Sequence, residues 1–122
     1  MAELVRKYYE TGELYEEYFV INGKIEGEYK EYYQYYDQLS LIMTYIDGKA
    51  NGEYKTYYPN GQLECICTFI DNNKNGAFKS YHDNGQLCII GSYIDNKMNG
   101  EYKQYNEIGD LIQSYIYEND TV

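Results

Sequence analysis

The side chains able to do chemistry are few, and their spacing decides against most of what they offer. One histidine, His82, and three cysteines, Cys65, Cys67 and Cys88, are the candidates for soft metal ligand or nucleophile. Cys65 and Cys67 stand two residues apart, the spacing that puts two thiols on one face of a strand. Cys88 lies 24 residues after Glu64, so strand alternation assigns it to the opposite face. That keeps the three thiols from converging on one tetrahedral ion and keeps Cys88 from a disulfide with either of the others. Buried thiols serving as small apolar side chains are the reading that remains. His82 stands where neighbouring segments have Tyr58 and Asn106, and reads as an ordinary variable position. The 20 Asp and Glu residues include no isolated pair in an apolar setting, which acid–base catalysis needs to shift a pKa. The glycines sit in turns, without the strand-to-helix context of a phosphate loop. No nucleophile, base and orienting group can be assembled; the expectation is a chain without catalytic, metal-binding or cofactor-binding residues.

What is regular instead is a repeat. Asn51–Ile70 returns from Asn75 to Tyr93 and again from Asn99 to Tyr117, with Gly52, Gly76 and Gly100 each 24 residues apart. Lys30, Lys55, Lys79 and Lys103 hold one place in four units, with Glu28, Glu53 and Glu101 two residues earlier on the same face. If every second strand is a leading strand, successive lysines lie roughly 10 Å apart, twice the strand spacing. Such a ladder either receives phosphates and acidic groups or is a solvated face of mutually screened pairs, each worth a few tenths of a kcal/mol; the adjacent glutamates favour the second. Two aromatic columns run beside it, Tyr29, Tyr54, Phe78 and Tyr102 on one face and Tyr32, Tyr57, Tyr81 and Tyr105 on the other.

The elements that position these columns are read as strands and turns. Each unit is a leading strand, a turn, a longer return strand and a second turn, giving an antiparallel meander of about eight to ten strands by the period-2 alternation of its arms. Tyr58-Pro59-Asn60-Gly61 is an explicit hairpin turn, and Asp83-Asn84-Gly85 and Glu107-Ile108-Gly109 repeat it. Asp71–Gly76 and Asp95–Gly100 are expected to be longer polar turns closed by glycine. On the return strands one face collects Leu63, Cys65, Cys67 and Phe69, or Leu87, Ile89, Gly91 and Tyr93, and is the expected interior; Leu63, Phe69, Leu87, Tyr93 and Leu111 should then be more buried than Glu53, Lys55, Lys79 and Lys103. Residues 6–26 form a worn or capping unit, followed by units at 27–51, 52–75, 76–99 and 100–118, all in one domain of residues 1–122. The second unit slips: Tyr33–Gln38 holds an extra residue and no glycine, which reads as decay or as a tyrosine-rich binding loop.

The frame Asn-Gly-x-Tyr-Lys-x-Tyr-x-x-Asn-Gly-x-Leu, ending in an aromatic six residues after the leucine, resembles the MORN repeat, and more closely its variant form found in bacterial antitoxin-like proteins and large DNA viruses. The resemblance covers Arg6–Tyr117. Tyr54, Phe78 and Tyr102 stand where the commoner form has a second glycine, which favours the variant. The resemblance implies an all-β, single-layer, twisted and open solenoid-like sheet of stacked β-hairpins, used as a scaffold with links to protein partners and membranes and without catalysis by the repeats.

Charge and composition bound the partner. A formal net charge of −10 with 19 tyrosines and no tryptophan argues against nucleic acid and anionic lipid and favours a basic or neutral protein surface. Two functions of different kind stand. One is a protein-interaction scaffold presenting tyrosine-rich faces, with an antitoxin-like inhibitor as a special case resting on the resemblance. The other is a peripheral membrane or phosphoinositide adaptor using the lysine ladder. No stretch approaches the roughly 18 apolar residues of a membrane span, and the first residues lack a signal peptide's apolar core, so an intracellular, cytoplasmic address is expected. Of the sheet's edges, the N-terminal one is the expected site for a second chain or a homodimer, because Glu118–Val122 already places two carboxylates beyond the last strand.

Overall fold

The computed structural model describes residues 1–122 as a single antiparallel sheet with no helix, so no helix is available to cross a membrane. Its strands are β1 (Glu3–Tyr8), β2 (Leu14–Ile21), β3 (Lys24–Tyr32), β4 (Leu39–Ile46), β5 (Lys49–Tyr57), β6 (Leu63–Ile70), β7 (Asn73–Lys74), β8 (Gly76–Tyr81), β9 (Leu87–Ile94), β10 (Lys97–Met98), β11 (Gly100–Tyr105) and β12 (Leu111–Tyr117). The strands pair in sequence order as β1-β2-β3-β4-β5-β6-β8-β9-β11-β12, and β7 and β10 are two-residue pieces paired to β6 and β9. The sheet is the expected open meander. It does not close on itself, which leaves β1 and β12 as free edges.

Two kinds of turn alternate along the chain. In the first, the Tyr58 N–H donates to the Gln62 carbonyl and the Gly61 N–H to the Tyr58 carbonyl, both at 2.9 Å; Tyr9–Glu13, His82–Gln86 and Asn106–Asp110 repeat both bonds. These are the hairpin turns read from Pro59-Asn60-Gly61 and its relatives. The second kind differs from expectation. The six residues Asp71–Gly76 do not make one long turn: Asp71 and Asn72, at φ 47° and 72°, form a two-residue turn with both central residues in the left-handed region, the type I′ pattern that matches strand twist. Asn22-Gly23, Asp47-Gly48, Asp95-Asn96 and Asn119-Asp120 do the same. The strand then restarts as β7, and Asn75-Gly76 is a bulge within it, where Gly76 takes a φ of 96° that would strain any other residue.

A second bulge overturns the expected face assignment. Tyr57 lies opposite Leu63 but Thr56 lies opposite Cys65, so Glu64 is an extra residue. Leu63 therefore shares a face with Tyr57 and Lys55, while Cys65, Cys67 and Phe69 share the other with Tyr54. The same shift recurs at Tyr32–Leu39, Tyr81–Leu87 and Tyr105–Leu111. Cys88 is the extra residue of its hairpin, so alternation does not fix its face, and all three cysteines are free thiols. The predicted burial order fails at Leu111, which is 53 % exposed on the edge strand, whereas the Lys55 side chain is 33 % exposed; Leu63, Phe69, Leu87 and Tyr93 are half-buried and Glu53 is exposed. An aliphatic stem lying along the sheet covers Lys55, and no strand covers Leu111.

A single layer cannot bury a core, and only 3 of 122 residues are buried, Ala50, Cys67 and Gly91. Stability rests instead on 75 backbone hydrogen bonds and on side chains that tie each unit to the next. Tyr9, Tyr33 and Tyr58 each donate a hydroxyl hydrogen bond to a backbone carbonyl 23 or 24 residues on, of Tyr32, Tyr57 and Tyr81, at 2.5, 2.5 and 2.7 Å. His82 is the fourth member, its Nε2 lying 2.9 Å from the Tyr105 carbonyl. The position read as ordinary is thus a staple between units, and because a carbonyl only accepts, Nε2 carries the proton. His82→Phe is expected to cost about 1 kcal/mol by losing that bond, and His82→Tyr to be near neutral because it restores the hydroxyl. Urea midpoints of the two variants check this.

A second set of ties runs along the type I′ turns. The Asn72 N–H donates to the Ala50 carbonyl at 2.9 Å and its side-chain Oδ1 accepts from the Ala50 N–H at 2.7 Å. Asn96 repeats both bonds with Lys74, and Asp120 with Met98. The bulge asparagines complete the pattern: Asn51 Oδ1 accepts from the Asp71 N–H and Asn75 Oδ1 from the Asp95 N–H, both at 3.0 Å. Much of the repeat signature is therefore inter-unit hydrogen bonding.

Candidate interaction faces

The register places the two aromatic columns on opposite faces. Tyr29 lies opposite Met43, Tyr54 opposite Cys67, Phe78 opposite Gly91 and Tyr102 opposite Tyr115, so this column alternates with return-strand side chains along an aromatic face. Its rings meet edge-on: Tyr54 on Phe69 at 5.7 Å, Phe78 on Tyr93 at 5.9 Å, Tyr102 on Tyr117 at 5.7 Å, arrangements worth about 0.5–1.5 kcal/mol each beyond area burial. Lys74 joins them with its ammonium 5.1 Å from the centre of the Tyr93 ring. All four column members are half-buried. Gly91 is buried because Tyr102 and Met98 close over it, 3.5 and 3.7 Å from where a Cβ would stand.

Two local environments on this face are electrostatically distinct. The Tyr29 hydroxyl lies between the carboxylates of Glu16 and Glu31, 2.8 Å from the latter. Burial first, then both hydrogen-bonded carboxylates, hold its phenol well above the usual tyrosine value, so it stays protonated. Cys65 and Cys67 are neighbours on one face of β6, and the interaction of the two thiols pushes Cys65 up and eases the loss of a proton at Cys67, with the Lys74 ammonium acting in the same sense at Cys67 and burial against it. Nowhere do three or more His, Cys, Asp and Glu side chains gather as a metal site would require.

The opposite face carries the cations. One cross-strand row reads Arg6, Glu17, Lys30, Ile42, Lys55, Ile66, Lys79, Ile90, Lys103, Ser114, so each lysine is separated from the next by an aliphatic side chain. Lys30, Lys55 and Lys103 reach back to Glu28, Glu53 and Glu101 at 3.8, 3.5 and 3.6 Å. Lys79 has Ala77 in that place. Three of the four charges are thus locally balanced by exposed pairs of small energy. Tyr32, Tyr57, Tyr81 and Tyr105 lie on this face, also half-buried.

Neither column is fully exposed, and the exposed apolar side chains lie elsewhere. Tyr35 and Tyr36 project from the irregular loop, whose ends are tied by the Tyr33 N–H to the Gln38 carbonyl at 3.0 Å. Ile46, Ile70 and Ile94 repeat at the ends of β4, β6 and β9. Leu111, Ile112, Tyr115 and Ile116 crowd onto β12, where only Tyr117 is half-buried. Sequence reading missed this last group because its residues occupy positions that are covered in the units of β4, β6 and β9.

Residues 50–71 and 74–95 each match the model of the MORN repeat variant. No curated protein matches the chain. MORN repeats are non-catalytic scaffolds of protein interaction and membrane association. The match falls on two consecutive hairpin units whose turns, bulges and ties recur on either side of it, and residues 50–71 and 74–95 are MORN-variant repeats.

Proposed function

We propose that this chain is a non-enzymatic scaffold, its units running as 6–26, 27–51, 52–75, 76–99 and 100–118, that binds an intracellular protein across its aromatic face, centred on Tyr29, Tyr54, Phe78 and Tyr102. The observation that carries this reading is the uncovered face itself: a row of half-buried rings spans the sheet with no second layer over it. Rings already held by their neighbours give contact area at low entropic cost. The column Tyr32, Tyr57, Tyr81 and Tyr105 on the reverse face is the second candidate. An antitoxin-like inhibitor is one form such a scaffold takes. The lysine row supports a phosphoinositide or membrane adaptor less well, because three of its four cations are balanced on their own strands.

The test is partner capture by the immobilised chain, with two double variants compared after circular dichroism shows them folded. Phe78→Ser with Tyr102→Ser should weaken capture by about 1 kcal/mol or more per ring, the scale of an interface anchor, while Lys55→Ser with Lys79→Ser should leave it unchanged. Loss with the lysine pair, together with liposome co-sedimentation at low salt that disappears at high salt, would overturn the reading in favour of the membrane adaptor.

A further inference from the structure

The sheet has two free edges of different kind. Strand β12 is a return strand, like β6 and β9, and in the interior of the sheet β6 and β9 are each followed by a six-residue leading strand, β8 and β11. Strand β1 is also a six-residue leading strand ending in tyrosine, Tyr8 standing where Tyr81 and Tyr105 stand. In this sheet it pairs with β2 alone, and its other side is unpaired. We propose that β12 of one copy takes β1 of a second copy as its next strand, so that the chain assembles head to tail. This surface is separate from the aromatic face and does not depend on what that face binds.

The internal pairs fix the register. Ile66 faces Lys79 and Ile90 faces Lys103; carried one unit further, Ser114 faces Arg6 of the second copy, and Arg6 extends the row of lysines. The same register sets Ile112 against Tyr8 and Ile116 against Leu4 of the second copy. All four of these side chains are exposed, at 53, 59, 72 and 41 %, and pairing covers all of them at once. The backbone is oriented for it. Both the amide and the carbonyl of Glu118 bond to Thr121 on the outer side of β12, so alternation turns Ser114 and Ile116 outward too. On β1 the Tyr9 N–H bonds inward to Glu13, which turns Leu4 and Arg6 outward. Arg6 and Ser114 therefore meet as a hydrogen-bonded pair.

Like-with-like pairing is disfavoured by charge. Two antiparallel β1 strands centred on Arg6 would set that guanidinium against its own copy, and two β12 strands centred on Ser114 would set Glu118 against Asp110. The head-to-tail contact joins different surfaces and does not close, so it produces strings rather than dimers.

Light scattering on the wild-type chain across a concentration series should show a mass rising past that of a dimer. Arg6→Pro removes an outward N–H from β1 and Ser114→Pro removes one from β12, while each leaves its own hairpin ladder intact. Each variant alone should stay monomeric. Mixed, they retain one free β12 and one free β1 and should form a pair of about twice the monomer mass and nothing larger. A wild type that stays monomeric, a variant that dimerises alone, or a mixture that does not pair would overturn the proposal. Should either proline variant fail to fold, Arg6→Cys and Ser114→Cys chains are mixed under a mild oxidant. A disulfide-linked dimer that needs both variants together supports head-to-tail pairing, and its absence, or linkage within either variant alone, sinks it.

Discussion

Replacing Asn72 by alanine should destabilise the sheet by about 2–4 kcal/mol, because two costs fall on one residue. Asn72 sits at φ 72°, a conformation asparagine tolerates and alanine resists. Its Oδ1 also satisfies the N–H of Ala50, one of the three buried residues, and an unpaired N–H in that place costs about 1–3 kcal/mol. Two further substitutions separate the costs. Asn72→Gly relieves the backbone but leaves the N–H unpaired, so it should lose about half as much. Asn72→Asp keeps both the conformation and the acceptor and should be near neutral, as the chain itself indicates by using Asp120 for the same bond to Met98. Against the 5–15 kcal/mol typical of whole domains the alanine effect is large. Repeat sheets need not unfold in one step, so the measurement that isolates it is hydrogen exchange of the Ala50 amide beside the urea midpoint. Equal protection in the alanine and aspartate variants would show that the side-chain bond contributes nothing.

That prediction marks where the sequence was legible and where it was not. The hairpin at Gly61 could be read because proline, asparagine and glycine in fixed order leave few alternatives to the backbone, and those at Gly85 and Gly109 because they hold the same place in the repeat. The type I′ turns were equally present, as Asn22-Gly23 and Asp47-Gly48, the strongest two-residue hairpin signals known. They were hidden by the glycine that follows four residues later, in Glu26-Gly27 and Asn51-Gly52, which looks like the end of a longer turn and is a bulge. The face error has a similar cause. Alternation through Leu63, Cys65, Cys67 and Phe69 is perfect in sequence, but Glu64 is an extra residue, and a bulge leaves no mark in a pattern of period 2. His82 was read by its column as a variable position because Tyr58 and Asn106 differ from it, whereas Tyr9, Tyr33 and Tyr58 share with it a hydrogen bond donated forward to the next unit.

The candidate surfaces follow the same division. That Tyr29, Tyr54, Phe78 and Tyr102 share a face, and that the lysines share the other, follows from spacing within one leading strand, where no bulge intervenes. Their partial burial does not follow from spacing, because it depends on what the neighbouring return strand presents, Cys67 and Gly91 in the middle of the sheet and Tyr115 at its end. The β12 edge was least legible of all. Leu111 and Ile116 are unremarkable in a strand with two neighbours and become a sticky surface where β12 pairs with β11 alone.

The turn glycines give the second large effect, and magnitudes decide its cause. Gly85 lies at φ 89°, and a Cβ added there would stand 2.6 Å from Oε1 of Gln62 in the preceding unit. The clash appears the graver fault but is cheap, because that oxygen ends a flexible, exposed side chain that can swing into solvent. The backbone has no such escape, and a non-glycine residue held in the left-handed region costs about 1–3 kcal/mol. Gly85→Ala should therefore lose about 2 kcal/mol. Gly12, at φ 100° with nothing within 4 Å of an added Cβ, supplies the control: Gly12→Ala should lose nearly as much through the backbone alone. Removing the clash by adding Gln62→Ala to Gly85→Ala should recover little, and Gly85→Asn, which tolerates positive φ, should recover about half. A double variant restored to wild-type stability would place the cost in the contact with Gln62, and the glycine column would then be held by the stacking of one unit on the next rather than by its own backbone.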